Sequence, residues 1–255
     1  MPAPQLVPGA PCWIDLYSSD TAGATEFYGQ VFGWTAEPPQ EELGGYFTFT
    51  RGGKHVGGCM HNDGEAGIPD AWTVYLTTAD IAAVAEAAPA NGGRVDLAPM
   101  VVPENGSMAI LSDPGQATVG VWQPGGVQGF EVVGEAGTPR WFELLTRDYD
   151  ASVAFYRNVL GWDAHVASDT ADFRYTTLGE GESRLAGIMD AAPFLPEGAG
   201  AFWSVYFGVD DTDAALQAIV GLGGTVTQAA ETTPWGRLAQ AADPTGARFK
   251  LLSSP

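Results

Sequence analysis

The sequence predicts an α+β protein: four βαβββ units, paired into two domains with curved, mixed β-sheets. An internal repeat is the first observation behind this prediction. Trp13-Ile14-Asp15-Leu16 returns as Trp141-Phe142-Glu143-Leu144, Phe27-Tyr28 as Phe155-Tyr156, and Gly33-Trp34 as Gly161-Trp162, all at an offset of 128 residues. The register continues with small drifts, Trp72-x-Val74-Tyr75 into Trp203-x-Val205-Tyr206 and Asp113-Pro114 into Asp243-Pro244. The second observation is that each half divides again into strand, helix and three strands, so the domains span residues 10–124 and 139–255. The third is the Gly- and Pro-rich composition around residues 125–138, which suits an exposed linker.

The elements follow in order. Residues 12–17 alternate in polarity like a half-buried strand. Asp20 then offers a side-chain acceptor to the free amides of a helix over 21–32, and Gly33 ends that helix because it tolerates the left-handed conformation. Tyr46–Thr50 and His55–Met60 are β-rich segments separated by Gly52-Gly53, a hairpin signal. The second unit repeats the order: strand Trp72–Thr77, Asp80 as cap, an Ala-rich helix over 81–90, the stop Asn91-Gly92-Gly93, and strands near 94–102, 107–112 and 117–122. Residues 140–253 show the same unit twice more. One such unit cannot bury its own sheet face, so the units must pair.

Charge narrows the partners. The 255 residues carry 11 Lys+Arg against 31 Asp+Glu, a formal net charge of -20, and such a field repels a phosphate backbone or an anionic lipid surface. Neither nucleic acid nor membrane is therefore expected, and the expected partner is a small-molecule ligand, bound by a monomer or homodimer. The first residues, Met1 to Leu6, have neither a basic nor an apolar region of the kind that directs secretion, which points to the cytoplasm. Cys12 and Cys59, in that reducing setting, are expected as two packed thiols without a disulfide.

The phrase Asp-x6-Phe-Tyr-x3-Phe/Leu-Gly-Trp at Asp20–Trp34 and Asp148–Trp162, with the Asp-Pro turns at Asp113 and Asp243, resembles the vicinal oxygen chelate superfamily. That group includes glyoxalase I, extradiol dioxygenases and bleomycin-resistance proteins, and the resemblance covers nearly the whole chain twice. It implies glyoxalase/bleomycin-resistance-like domains and, in the metal-using members, His, Gln or Glu ligands on the concave sheet face. Counting from the aspartates puts Trp13, Thr73 and Gly120 at those positions in the first half, and Trp141, Ser204 and Lys250 in the second. Indole cannot coordinate, neutral hydroxyls bind weakly and an ammonium repels a cation, so no metal and no other cofactor is expected. His55, His61 and His165 are too scattered along the chain to replace the set.

Strand alternation places Trp13, Asp15 and Tyr17 on the concave face, with Thr73 and Tyr75 from the next unit, while Trp72 and Trp203 turn to the core. The second cup repeats the theme with Trp141, Glu143, Ser204 and Tyr206, and adds the charges of Arg248 and Lys250. Asp15 and Glu143 are the candidate catalytic groups. Asp15 has no predicted cation beside it and is free to act as general acid or base, whereas Glu143 has Lys250 as a prospective ion-pair partner. These features point to a metal-independent protein that binds, or transforms, a hydrophobic or aromatic small molecule. A metal-dependent lyase or dioxygenase with displaced ligands is the alternative, and cups filled by their own tryptophans are a third.

Overall fold

A computed structural model describes residues 6–65 and 67–254. In the first half, β1 (Pro11–Ser18), α1 (Thr21–Phe32), β2 (Thr35–Ala36), β3 (Phe47–Arg51) and β4 (Lys54–His61) form one unit. The second unit is β5 (Ala71–Thr77), α2 (Ile81–Ala90), β6 (Arg94–Val102), β7 (Gly106–Ser112) and β8 (Thr118–Pro124). The second half repeats both, as β9 (Pro139–Thr146), α3 (Tyr149–Leu160), β10 (Ala164–Asp169), β11 (Arg174–Leu178) and β12 (Ala186–Asp190), then β13 (Phe202–Gly208), α4 (Thr212–Gly221), β14 (Thr225–Thr233), β15 (Gly236–Ala242) and β16 (Arg248–Ser253).

Each half builds one eight-stranded mixed sheet, in the orders β2-β3-β4-β1-β5-β8-β7-β6 and β10-β11-β12-β9-β13-β16-β15-β14. The units meet where β1 pairs antiparallel with β5 and β9 with β13, so the first strands of paired units lie at the centre of each sheet. Asp20, Asp80 and Asp211 each accept an amide from the first turn of the following helix, as the sequence predicts, whereas Asp148 makes no such bond. Gly33 and Gly161 end α1 and α3 in the left-handed conformation.

Alternation sorts the faces. Ile14 and Leu16 on β1, Val74 and Leu76 on β5, and Val119 and Val121 on β8 are fully buried toward the helices, together with Trp72. One apolar core runs through both halves: Phe32 of α1 lies 4.8 Å from Phe207 of β13, and Phe27 lies 6.4 Å from Phe249 of β16 (ring centroids). The interface is pseudo-symmetric. Tyr28 donates to Asp243 across it at 3.0 Å, and its repeat Tyr156 donates to Asp113 at 3.1 Å.

The connection 125–138 is not an exposed tether throughout. Phe130 and Val132 are buried, and the Phe130 amide donates to the Cys12 carbonyl, because the connecting chain passes along β1 on its way to β9. Cys12 and Cys59 are buried free thiols.

Candidate functional site

The concave face of each sheet carries a carboxylate ringed by aromatic donors. On β1, Trp13, Asp15 and Tyr17 share that face, and their partners across to β5 are Tyr75, Thr73 and Ala71. The Trp13 indole donates to Asp15 Oδ1 at 2.9 Å and to the Tyr46 hydroxyl at 3.0 Å, and Tyr46 itself donates to the same carboxylate oxygen at 2.9 Å. Tyr75, opposite Trp13 on β5, is buried beside them. Phe130 from the connecting segment stacks on Trp13 with ring centroids 5.8 Å apart. Tyr17 lies half-buried beside Met60, its partner on β4.

The second cup is built the same way around a longer acid. Tyr175 donates to Glu143 Oε1 at 2.8 Å, Tyr206 donates to Oε2 at 2.6 Å, and the Trp141 indole donates to Tyr175 at 3.0 Å. Lys250 from β16 then donates to Glu143 Oε2 and to the Tyr206 hydroxyl, each at 2.8 Å. Ser204 is buried as the β13 partner of Glu143. Arg248, two residues before Lys250, is exposed at the start of β16 and stands apart from the cluster.

The two acids therefore differ in electrostatics. Burial pushes the Asp15 carboxyl above the usual range, against the pull of hydrogen bonds from Tyr46 and Trp13, and no ion pair involves it among the described residues. Burial acts on Glu143 too, but the Lys250 ammonium and the donors Tyr206 and Tyr175 outweigh it and hold that carboxyl below its usual range.

Sequence reasoning missed Tyr46 and Tyr175, which lie outside the strand positions it counted. The signal was present in Gly58 and Gly187. Each sits mid-strand where a Cβ would run into the hydroxyl of Tyr46 or Tyr175, so each glycine makes the room its tyrosine uses. Gly120 does the same for the Tyr75 ring, and Lys250 replaces it in the second half.

The donors at the family's ligand positions do not fit a divalent cation. Trp13 and Trp141 offer indoles that are already donating, Gly120 has no side chain, and Lys250 holds its ammonium where an acidic ligand would have to be. Among the described residues no three His, Cys, Asp or Glu side chains converge. His55 and His61 both lie on β4, but His55 sits between Glu37 and Glu131 at the start of that strand, and His165 on β10 pairs with Asp163 just before it. Two open clefts of about 290 Å³ each lie away from both acids, one lined by Arg51, Lys54 and Glu135, the other by His165, Glu180 and Arg184. Their open, charged linings lack the convergent aromatic donors of the cups, which are the better candidate site on chemical grounds.

Comparison with known proteins agrees with the architecture. The family model described as Glyoxalase/Bleomycin resistance protein/Dioxygenase superfamily matches residues 12–121 and again 138–251. The chain is 34% identical to an anthracycline biosynthesis protein, DnrV, of Streptomyces peucetius, over 97% of this chain and 94% of that one. It is also 34% identical to a putative glyoxylase, CFP32, of Mycobacterium tuberculosis, over 96% of this chain and 94% of that one. Among solved structures, a Mn(II)-bound glyoxalase from Novosphingobium aromaticivorans superposes with a TM-score of 0.62 at 15% identity, covering 98% of this chain and 82% of that one. That likeness concerns the fold.

Proposed function

The chain belongs to the glyoxalase/bleomycin resistance protein/dioxygenase superfamily, and from that premise we propose that it binds, or acts on, a planar aromatic small molecule in its cups without a resident metal ion. The observation that carries this reading is the half-buried cluster of Trp13, Tyr46 and Asp15 beside the buried Tyr75, set where metal-using members would hold their ion. Aromatic rings stack on a flat ligand, and a carboxyl held above its usual range can carry a proton to, or take one from, the ligand's polar edge. The names of the Streptomyces relatives support a fused-ring aromatic of the anthracycline kind as the ligand class.

In this reading the protein's own groups do the work. Tyr46 and the Trp13 indole both point hydrogen atoms at Asp15 Oδ1, which holds the carboxyl in place and leaves Oδ2 without a protein donor among the described residues. A protonated Asp15 donates to a ligand carbonyl; an ionised Asp15 accepts from a ligand phenol. Two measurements on the full chain test the reading. Protein purified without added ions should hold no stoichiometric metal by elemental analysis, and a hydroxyanthraquinone should quench tryptophan emission saturably. Near-stoichiometric zinc, iron, nickel or manganese that survives dialysis would favour the metal-dependent lyase or dioxygenase and overturn the proposal.

A further inference from the structure

The two cups repeat their floors but not their walls. In the first, the strands beside the floor present Ile110 and Leu97 in register with Gly120 and Tyr75, and Met108 and Met100 one pair further along. Met60 on β4 stands on the same face, beside Tyr17. Leu97 and Met100 are 40% and 47% exposed, so this wall is apolar and open to solvent. The neighbours of these residues on the opposite face, Ala109 and Leu111, are fully buried in the core, so the wall is the face left over once the core has formed.

The same register in the second cup gives a different surface. Tyr206 pairs with Lys250, Lys250 with Gln240 and Gln240 with Gln228, while Leu238 pairs with Glu231. Gln240 donates to Gln228, and Lys250 is spent on Glu143 and Tyr206. The mouth is also spanned. Phe173 from the β10–β11 tip stacks on Tyr175 at 5.4 Å and reaches Trp235, from the β14–β15 tip at the opposite end of the sheet, at 6.3 Å. The first half has neither ring at its corresponding tips, which carry Gly44 and Asn105.

Resting on the function proposed above, we infer that only the first cup takes the ligand, one molecule per chain, with its ring system laid on the Leu97, Met100, Met108 and Ile110 wall and its polar edge toward Asp15. The second cup is an internal support whose charges and mouth are satisfied by its own side chains. Methionine suits such a wall because its flexible, polarizable thioether conforms to a flat π-surface. A ligand with two or more fused rings would cover the wall, whereas a single ring would fill only the floor.

The test is calorimetry of the full chain with 1,4-dihydroxyanthraquinone as probe, read together with oxidation of the methionines. The expected result is one probe per chain, with Met100 and Met108 protected on saturation and Met189 of the second half unchanged. Leu97→Glu with Met100→Glu, both exposed and so compatible with folding, should weaken binding by about tenfold or more, since a charge in the wall must be desolvated by the ring. Trp235→Ala should leave the affinity unchanged. Two probes per chain, or a loss of binding on Trp235→Ala with none on the wall variant, would sink the single-cup inference while leaving the proposed function intact. Absence of saturable binding by the unmodified chain would remove both.

Discussion

Asp15 and Glu143 occupy the same place in two copies of one strand and differ in what balances them. Asp15 has only neutral donors, so Trp13→Ala and Asp15→Asn should report on ligand chemistry. Trp13→Ala is expected to weaken an aromatic ligand by about 1–3 kcal/mol, measured by tryptophan-quenching titration. Asp15→Asn separates roles: retained affinity with lost turnover marks a general acid or base, and lost affinity alone marks a binder. Glu143 is different, because Lys250 Nζ lies 2.8 Å from its carboxylate and both are buried. Lys250→Met should strand that acid and destabilise the protein by about 3–5 kcal/mol in urea melts, and adding Glu143→Gln should recover most of the loss. Since the folded-state value of Glu143 is depressed, its contribution is present above the ordinary carboxyl range and is lost as pH falls through the folded value. If Lys250→Met proves as stable as the parent, the pair is not buried as described.

Among the elements, α1 and α3 do two jobs with one side chain each. Tyr28 lies under Trp72, whose indole donates to its hydroxyl at 3.0 Å, and passes that hydroxyl's proton side to Asp243 of the other half. Tyr156, Trp203 and Asp113 repeat the relay in the opposite direction. Asp113 sits in the β7–β8 turn, where burial pushes its carboxyl up to about 6 against the hydrogen bonds from Ala117 and Tyr156. A raised folded-state value means that the folded protein binds the proton more tightly, so this contribution is full below the ordinary carboxyl value and is lost as pH rises through about 6. Urea melts between about pH 4 and about pH 7 should therefore show a falling component, on the order of 1–3 kcal/mol, that Asp113→Asn removes. An unchanged slope in that variant would assign the pH dependence to other groups.

At the scale of the molecule, the halves share a core and cannot be treated as beads on a string. Trp34 donates to the Gly137 carbonyl of the connection at 2.6 Å, and Trp162 donates to Gly9 at 3.0 Å, so each half's helix-end tryptophan is tied to a segment outside its own domain. Phe207 and Phe249 would be stripped of Phe27, Tyr28 and Phe32 in an isolated second half. A chain nicked at the exposed Gly125-Gly126 should run as one particle on gel filtration and unfold in one transition. Residues 139–255 expressed alone should aggregate, given the apolar area left open. Two freely separating, folded halves would contradict the shared core.

Much of this was legible in the chain itself, because repeat, strand alternation, helix caps and glycine stops are local signals. They placed β1, α1, β5 and α2 to within a residue or two, turned Trp72 and Trp203 to the core, and put Trp13, Asp15, Trp141, Glu143 and Lys250 on one kind of face. Membership of the superfamily was readable for the same reason, since its motifs are the residues that cap helices and close turns. What the sequence left open depends on which distant segments meet. Tyr46 reaches Asp15 only because a loop 31 residues on folds over Gly58, and Phe130 reaches Trp13 only because the connection passes along β1. The contact of Phe173 with Trp235 needs the sheet to curl until its two ends approach. Local pattern determines the element and the face of a side chain. Its partner, and with it the charge and openness of each cup, is decided only when sheet curvature and loop paths bring separate stretches of chain together.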